Sequence, residues 1–301
     1  MQRRETALYT TFYPGVEKFL QPWFRSVVGQ SDRNFDLWIG LDSMSPEDAT
    51  EAIGSSIEAR WIVNAPGSSP AAIRDHAFRQ LTEEYEALIL VDADDVLDAT
   101  RVEAARRALE RQEVVGCALR LIDEEGADLG RVFSPAPAAR PESQLARHNV
   151  FGLSNTAYRS DMLKACLPIP EGCILIDWLL ATRAWALGAR MDFDVTPRMY
   201  YRQYGGNTAG VLTPFSASQV LKASCRVLGH YDCLLDSGWP LPPRFREEIA
   251  AARARARQFY GAVTGSRQRL EEYVTALNRL EPQHVWWWCV AHSDLENLWK
   301  N

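Results

Sequence analysis

Lysine is nearly missing from this 301-residue chain: Lys18, Lys164, Lys222 and Lys300 are the whole set, and arginine supplies the rest of its 33 basic side chains. Acidic residues number 39, so the net charge is −6, the wrong sign for a chain built to neutralise nucleic-acid phosphates. Cysteine is sparse as well. Cys117, Cys166, Cys173, Cys225, Cys233 and Cys289 include no Cys-x-x-Cys pair and match neither a zinc framework nor a disulfide scaffold. Free thiols in a reducing compartment are expected. Long apolar runs are lacking too: the longest uncharged one, residues 285–291, falls far short of the roughly 20 that span a bilayer. Residues 1–5 do not open on the apolar stretch of a signal peptide. The expectation is a cytoplasmic protein, at most peripheral to the inner face of a membrane. What is present, 47% hydrophobic and 24% charged residues, is globular composition and excludes a disordered or fibrous chain.

Short strand-like runs alternate with helical periodicity through the first two thirds. Residues 7–13 read as a first strand, stopped by Pro14-Gly15. Val16, Phe19, Leu20, Trp23, Phe24 and Val27 then recur at helical spacing and predict an amphipathic helix over 16–28. Strands follow over 35–41, with Asp42 at its carboxyl end, and over 59–63. Ser69-Pro70 opens a helix over 71–81. Residues 87–91 form an unbroken apolar run, the pattern of a central strand covered on both faces. Such alternation predicts a mostly parallel α/β sheet. Ligands bind beyond the carboxyl ends of strands in these sheets, which puts Asp42 and Asp92 to Asp95 on one rim. After about residue 215 the pattern changes, and helical stretches over 244–258 and 266–280 predict a C-terminal appendage.

Three aspartates, Asp92, Asp94 and Asp95, sit within four residues after the central run. Such crowding is unfavourable unless a cation or hydrogen-bond donors neutralise it, and hard carboxylate oxygens suit Mg²⁺ or Mn²⁺. A solvated, helix-capping turn is the competing reading. The run Asp-x-Asp-x-Val also matches the nucleophile loop of haloacid dehalogenase-type phosphatases. That loop lies near the start of its fold, whereas 91 residues precede Asp92 here. No Gly-Asp acidic pair follows the next lysine, Lys164.

A second match is far more extensive. Gln30-Ser31 precedes the second strand and Asp42-Ser43 follows it; Arg74 stands in Ala71-Ala72-Ile73-Arg74-Asp75. Asp92-Ala93-Asp94-Asp95 supplies an Asp-x-Asp element. Ile176-Asp177-Trp178-Leu179-Leu180 precedes Arg183 and Gly188, and Tyr201-Arg202-Gln203-Tyr204-Gly205-Gly206-Asn207 closes the series. In this order, over roughly residues 5–210, the elements resemble the family 2 glycosyltransferases of bacterial type. The resemblance implies a GT-A fold: a mixed, mostly parallel sheet flanked by helices, with a C-terminal helical appendage. It implies a catalytic domain over 1–215, whose nucleotide-binding half is about 1–98 and acceptor-binding half about 99–215, followed by a helical region over 216–301.

The same resemblance implies sugar transfer from a nucleotide-diphosphate donor, UDP favoured and dTDP next, to a hydroxyl of a saccharide or lipid-linked acceptor, with inversion. Asp42, Arg74, Asp92, Asp94, Arg202 and Asn207 would bind the nucleotide sugar. Asp92 and Asp94 would hold a divalent cation, Mn²⁺ or Mg²⁺, and Asp177 would accept the acceptor's proton as general base. Two residues depart from the pattern. Ile176 stands where the family often has Glu, and Tyr204 where it often has His. A phenol with a pKa near 10 is a poor ligand for Mg²⁺ or Mn²⁺. These departures keep open a catalytically silent nucleotide- or carbohydrate-binding protein on the same fold.

Plainer roles compete at single positions. Asp177 suits the N-cap of a helix over 178–187, and Arg202 suits a structural ion pair. On the functional side, Gly205-Gly206 would let their loop move as a lid that shields the reaction from water. Trp286-Trp287-Trp288 read as part of a C-terminal helix that packs on the catalytic domain or on a second copy. An interfacial foot near a lipid-linked acceptor is the other reading.

Overall fold

The computed structural model describes residues 3–135 and 140–300. Its first half alternates as expected: β1 (Arg4–Phe12), α1 (Glu17–Val28), β2 (Asp36–Leu41), α2 (Pro46–Ile53), β3 (Arg60–Val63), α3 (Pro70–Glu84) and β4 (Tyr85–Leu90). The middle holds β5 (Val96–Leu97), α4 (Arg101–Leu109), β6 (Val114–Ile122), β7 (Asp128–Phe133), β8 (Thr156–Arg159), α5 (Ser160–Ala165), α6 (Ile176–Ala186) and β9 (Met191–Arg202). Helices α7 (Ala217–Asp236), α8 (Pro243–Thr264), α9 (Arg267–Leu277) and the short α10 (Glu296–Trp299) complete the chain.

The strands form one sheet in the order β3-β2-β1-β4-β8-β6-β9-β5, with β7 beside β6. From β3 to β4 every pairing is parallel. Beyond β4 the sheet is mixed, because β8 runs antiparallel to both β4 and β6 while β6 and β9 are parallel. Strand β1 is buried from Thr6 to Phe12, on both faces, and β4, whose apolar run predicts a covered central strand, is buried from Ala87 to Leu90. Register aligns the strand ends. Phe12 pairs with Leu41 and Tyr9 with Leu90, so the carboxyl ends of β1, β2 and β4 meet at one edge. Between β6 and β9 the register shifts around Ala118 of β6, and Pro197 of β9 sits at that irregularity, where a missing N–H breaks no regular ladder.

The C-terminal helices share a continuous core with the sheet. Helix α7 begins with a capping box, Ser216 and Gln219 exchanging bonds with each other's backbone N–H groups. Its His230 lies flat on Trp178 of α6, ring centroids 3.9 Å apart and planes 11° from parallel.

The tryptophan run corrects an expectation. Residues 285–291 are not helical, and Trp287 and Ala291 adopt left-handed backbone conformations (φ 71° and 51°). Trp286 pairs as a β-bridge with Asn149, far away in sequence. The irregular path lets all three indoles turn inward, with 5%, 8% and 1% exposure. Rings this deeply buried do not form a membrane foot. Among the described residues, no helix is long and apolar enough to cross a bilayer.

Candidate active site

A cavity of about 680 Å³ opens at the edge where β1, β2 and β4 end. Asp42, Arg74, Asp92, Asp94, Asp177 and Asn207, six of the seven residues singled out from sequence, line it. Each arrives by a separate local device. Asp42 follows β2, its N–H bonded to the carbonyl of Phe12 at 2.9 Å, and Ser43 takes a left-handed turn (φ 54°) to donate its hydroxyl to Asp42 Oδ1 at 3.0 Å. Arg74 projects from α3, whose N-cap Ser69 accepts the Ala72 N–H. The first residues of α3 also line the cavity, so the positive end of that helix faces it.

Asp92 and Asp94 leave the end of β4 on a tight turn, with the Asp95 N–H bonded to the Asp92 carbonyl. Burial and the neighbouring Asp94 push the Asp92 carboxyl up to about 7, against the pull of Arg74. Asp94 is raised as well, chiefly by burial, although two phenols stabilise its anion. Tyr204 donates to Asp94 Oδ2 at 2.9 Å, and Tyr13 bonds the same carboxylate. The Tyr204 phenol, pushed up to about 12 by burial and by Asp94, stays a donor throughout the neutral range. Its ring also explains Gly206, where an added Cβ would lie 2.4 Å from Tyr204 Cε2.

Asp92 and Asp94 fit a divalent cation through their chemistry. They are two hard carboxylates facing one cavity, each held above its ordinary pKa by burial and carrying a charge excess that a cation relieves. Two such ligands would leave coordination positions open for other oxygen donors. Among the described residues no third His, Cys, Asp or Glu joins them in a metal-binding cluster. Asp95 points away: it is buried, and its Oδ1 accepts the Arg202 N–H at 2.8 Å.

Arg202 is the exception among the seven. It is 2% exposed and does not line the cavity. Its guanidinium donates to the carbonyls of Asp94 (2.8 Å), Asp123 (3.1 Å) and Glu124 (2.7 Å) and lies over the Phe19 ring. Neither a bidentate grip on a diphosphate nor an ion pair describes it; it ties the Asp92–Asp95 turn to the end of β9 from behind. Asn207 lines the cavity, yet its amide is engaged in its own turn, accepting the Tyr204 N–H and donating to the Arg202 carbonyl.

Asp177 corrects the capping alternative. Helix α6 starts at Ile176 with Leu175 as its N-cap, so Asp177 lies within the first turn. Burial pushes its carboxyl up to about 6, opposed by the Trp178 N–H and by Arg74. Oδ2 accepts a bond from Asn149 Nδ2 at 2.9 Å.

Sequence reasoning misses four contributors. Tyr13, Ser154 and the pair Trp286 and Trp287 all line the cavity. Tyr13 lies at a strand end that reads only as a Pro-Gly stop. Ser154, which accepts the Asp92 N–H at 3.3 Å, stands in an aperiodic loop with no motif to mark it. The tryptophans reach the site only through the fold.

The sequence model described as "Glycosyl transferase family 2" matches residues 9–164, just over half of the chain. No curated protein matches. Among solved structures, residues 1–349 of TarS from S. aureus in complex with UDP align with a TM-score of 0.57 at 16% identity, covering 86% of this chain and 73% of that one. The mannosyltransferase PcManGT from Pyrobaculum calidifontis, in complex with GDP-Man and Mn²⁺, aligns with a TM-score of 0.57 at 13% identity, covering 93% and 77%. At such identities the likeness establishes the fold, a mixed α/β sheet of GT-A type. The family match over more than half of its length makes this chain a member of glycosyl transferase family 2.

Proposed function

We propose that the protein transfers a glycosyl group from a nucleoside-diphosphate sugar, UDP in the first instance, to an acceptor hydroxyl with inversion. One observation carries the reading: Arg74, Asp92, Asp94 and Asp177 converge on a single cavity at the carboxyl edge of the sheet. The donor's diphosphate belongs with Arg74 and the N-terminus of α3, and Asp42 sits where it can hold the nucleoside. A divalent cation bound by Asp92 and Asp94 would stabilise charge on the departing diphosphate. PcManGT, complexed with GDP-Man and Mn²⁺, supports that chemistry by its fold.

In the reaction the acceptor oxygen bonds to the anomeric carbon, and the bond from that carbon to the diphosphate oxygen breaks. The bonding pair leaves with the nucleoside diphosphate. The acceptor's proton passes to Asp177, whose carboxylate accepts it as the oxygen attacks. Attack from the face opposite the leaving group inverts the anomeric centre. Asp42 and Arg74 bind and orient, Asn207 holds the turn that carries Tyr204, and Tyr204 fixes Asp94 without titrating. A saccharide acceptor suits a cavity walled by aromatic edges and hydroxyls.

The test is nucleotide release from a panel of UDP- and GDP-sugars with Mn²⁺, in parent and Asp177→Asn. Asn preserves size, so donor affinity stays and turnover falls by roughly 10² or more. Because burial raises the Asp177 carboxyl to about 6, and the base must be ionised, parental turnover rises with pH through about 6 and levels above it. Turnover unchanged in Asp177→Asn with donor still bound refutes the base assignment. Failure of every nucleotide sugar to bind refutes the transferase reading and favours neither donor.

A further inference from the structure

The tryptophan-rich segment near the C-terminus lies outside both the family-matched stretch and the motif series read from sequence, yet it touches the centre of the site. The Trp286 N–H donates to the Asn149 carbonyl at 2.9 Å. Asn149 is fully buried and its amide orientation is fixed. Oδ1 accepts the Phe151 N–H at 2.9 Å, which leaves Nδ2 to donate to the Phe151 carbonyl at 3.1 Å and to Asp177 Oδ2 at 2.9 Å. The Trp286 ring is locked in place as well. It packs against Phe133, centroids 4.5 Å apart, and meets Tyr201 edge-on at 5.9 Å. At Gly152 an added Cβ would lie 3.0 Å from Trp286 Cη2, so the catalytic domain presents a bare backbone to seat this indole.

We propose that Asn149 is a positioning residue for Asp177, and that the C-terminal segment holds it there through Trp286. The proposal rests on the reading of Asp177 as the base. A carboxylate that must accept a proton at one oxygen gains from having its other oxygen tied, because a rotating carboxylate presents the wrong lone pair for much of the time. Asn149 supplies that tie from a rigid, buried, doubly bonded amide. Trp286 makes the tie depend on a segment more than 100 residues later, so the C-terminal region is a working part of the active site.

The experiment compares Asn149→Ala, Asn149→Asp, Trp286→Leu and Asp177→Asn, reading nucleotide release from UDP- and GDP-sugars with Mn²⁺ and water as acceptor, together with donor affinity. Asn149→Ala is expected to lower kcat about tenfold or more with donor affinity unchanged. Asn149→Asp is nearly isosteric and keeps the acceptor for the Phe151 N–H, so it decides the matter if the Ala variant does not fold. It places a second carboxyl against Asp177, beside the existing charges of Arg74 and Asp92 and the neutral Tyr158 and Cys173. Two facing carboxyls share a proton, so the acid limb of the pH–kcat profile moves up by at least about one unit, a tenfold loss at fixed pH on that limb. A purely structural role for Asn149 moves no such limb. Trp286→Leu keeps the main-chain N–H but loses the ring, and repeats the Asn149→Ala loss in kcat. Parental profiles for both Asn149 variants, with Asp177→Asn inactive, overturn the positioning role and leave the base assignment standing. A parental Trp286→Leu overturns the role of the C-terminal segment. Parental turnover in Asp177→Asn removes the base reading and this proposal with it.

Discussion

Arg202 shows how a residue type can be legible while its task is not. An arginine in a motif beside a diphosphate site suggests a bidentate anion grip, because five donors in a planar fork suit phosphate oxygens. The fold instead aims the fork at main-chain carbonyls of two turns, those of Asp94 and of Asp123 and Glu124. A buried guanidinium with those partners organises backbone. Lysine has a single point of charge and cannot reach both turns. Arg202→Lys is therefore expected to lower stability by about 2–4 kcal/mol, read as a fall in the denaturation midpoint at constant slope. Donor affinity falls with it, since the Asp92–Asp95 turn loosens. Were Arg202 instead a phosphate ligand, affinity would drop while the midpoint stayed. Tyr204 teaches a similar lesson. Its departure from histidine looks in sequence like a lost metal ligand, and in the structure it is a phenol donating to Asp94.

Elements with strong local signals are legible, and the misses have physical causes. The strands up to β4 and helices α1 and α3 carry clean periodicity, and their observed bounds differ from the expected ones by a few residues at most. Strand β6 carries an apolar run over 114–119 that the sequence reading leaves unassigned, whereas β9 has no comparable signal. β9 holds Pro197 and four charged residues, and is a strand because β6 lies beside it, register irregularity included. Helix α7 carries apolar residues at helical spacing, Val220, Val227, Tyr231 and Leu234, behind a capping box of Ser216 and Gln219, although the sequence reading assigns no element there. That helix makes a checkable contribution through His230, whose ring is buried against Trp178 with neither nitrogen bonded. Burial holds this imidazole neutral and lowers its pKa to about 3. Its folded value lies below the unfolded value of about 6.5, so the unfolded chain gains a proton that the folded chain refuses. The stability is present above about pH 6.5 and drains away as pH falls from there toward 3. His230→Phe keeps a flat ring on Trp178 and is expected to flatten that part of the stability–pH curve. An unchanged slope between pH 6.5 and 4 would show that His230 is protonated in place.

At the scale of the molecule, sequence reasoning finds the rim because strand ends and acidic turns are local features, and topology then forces them together. It cannot find the far wall. Trp286 and Trp287 join the cavity after a path through three helices and an irregular segment with two left-handed residues, none of it periodic. The complete site therefore gathers acidic side chains from Asp42, Asp92, Asp94, Glu171 and Asp177 against Arg74 and the N-terminus of α3. Two of those carboxyls are held near or above 6 by burial and mutual repulsion, so the unliganded cavity is electrostatically unfavourable at neutral pH. Nucleotide alone brings further negative charge to Asp92 and Asp94, whereas a divalent cation alone lacks the diphosphate oxygens to complete its shell. Each ligand thus improves the site for the other, and by linkage the coupling is reciprocal. Thermal melts with UDP, with Mn²⁺ and with both should show a shift for the pair larger than the two single shifts added. A pair at 100 times its dissociation constant adds about 2.7 kcal/mol, or roughly 4 °C for a chain of this size. Asp94→Ala should abolish the excess while leaving the shift from UDP alone in place. Additive shifts in the parent would mean that nucleotide and cation bind without sharing Asp94, and the cation would have to be sought away from the Asp92–Asp95 turn.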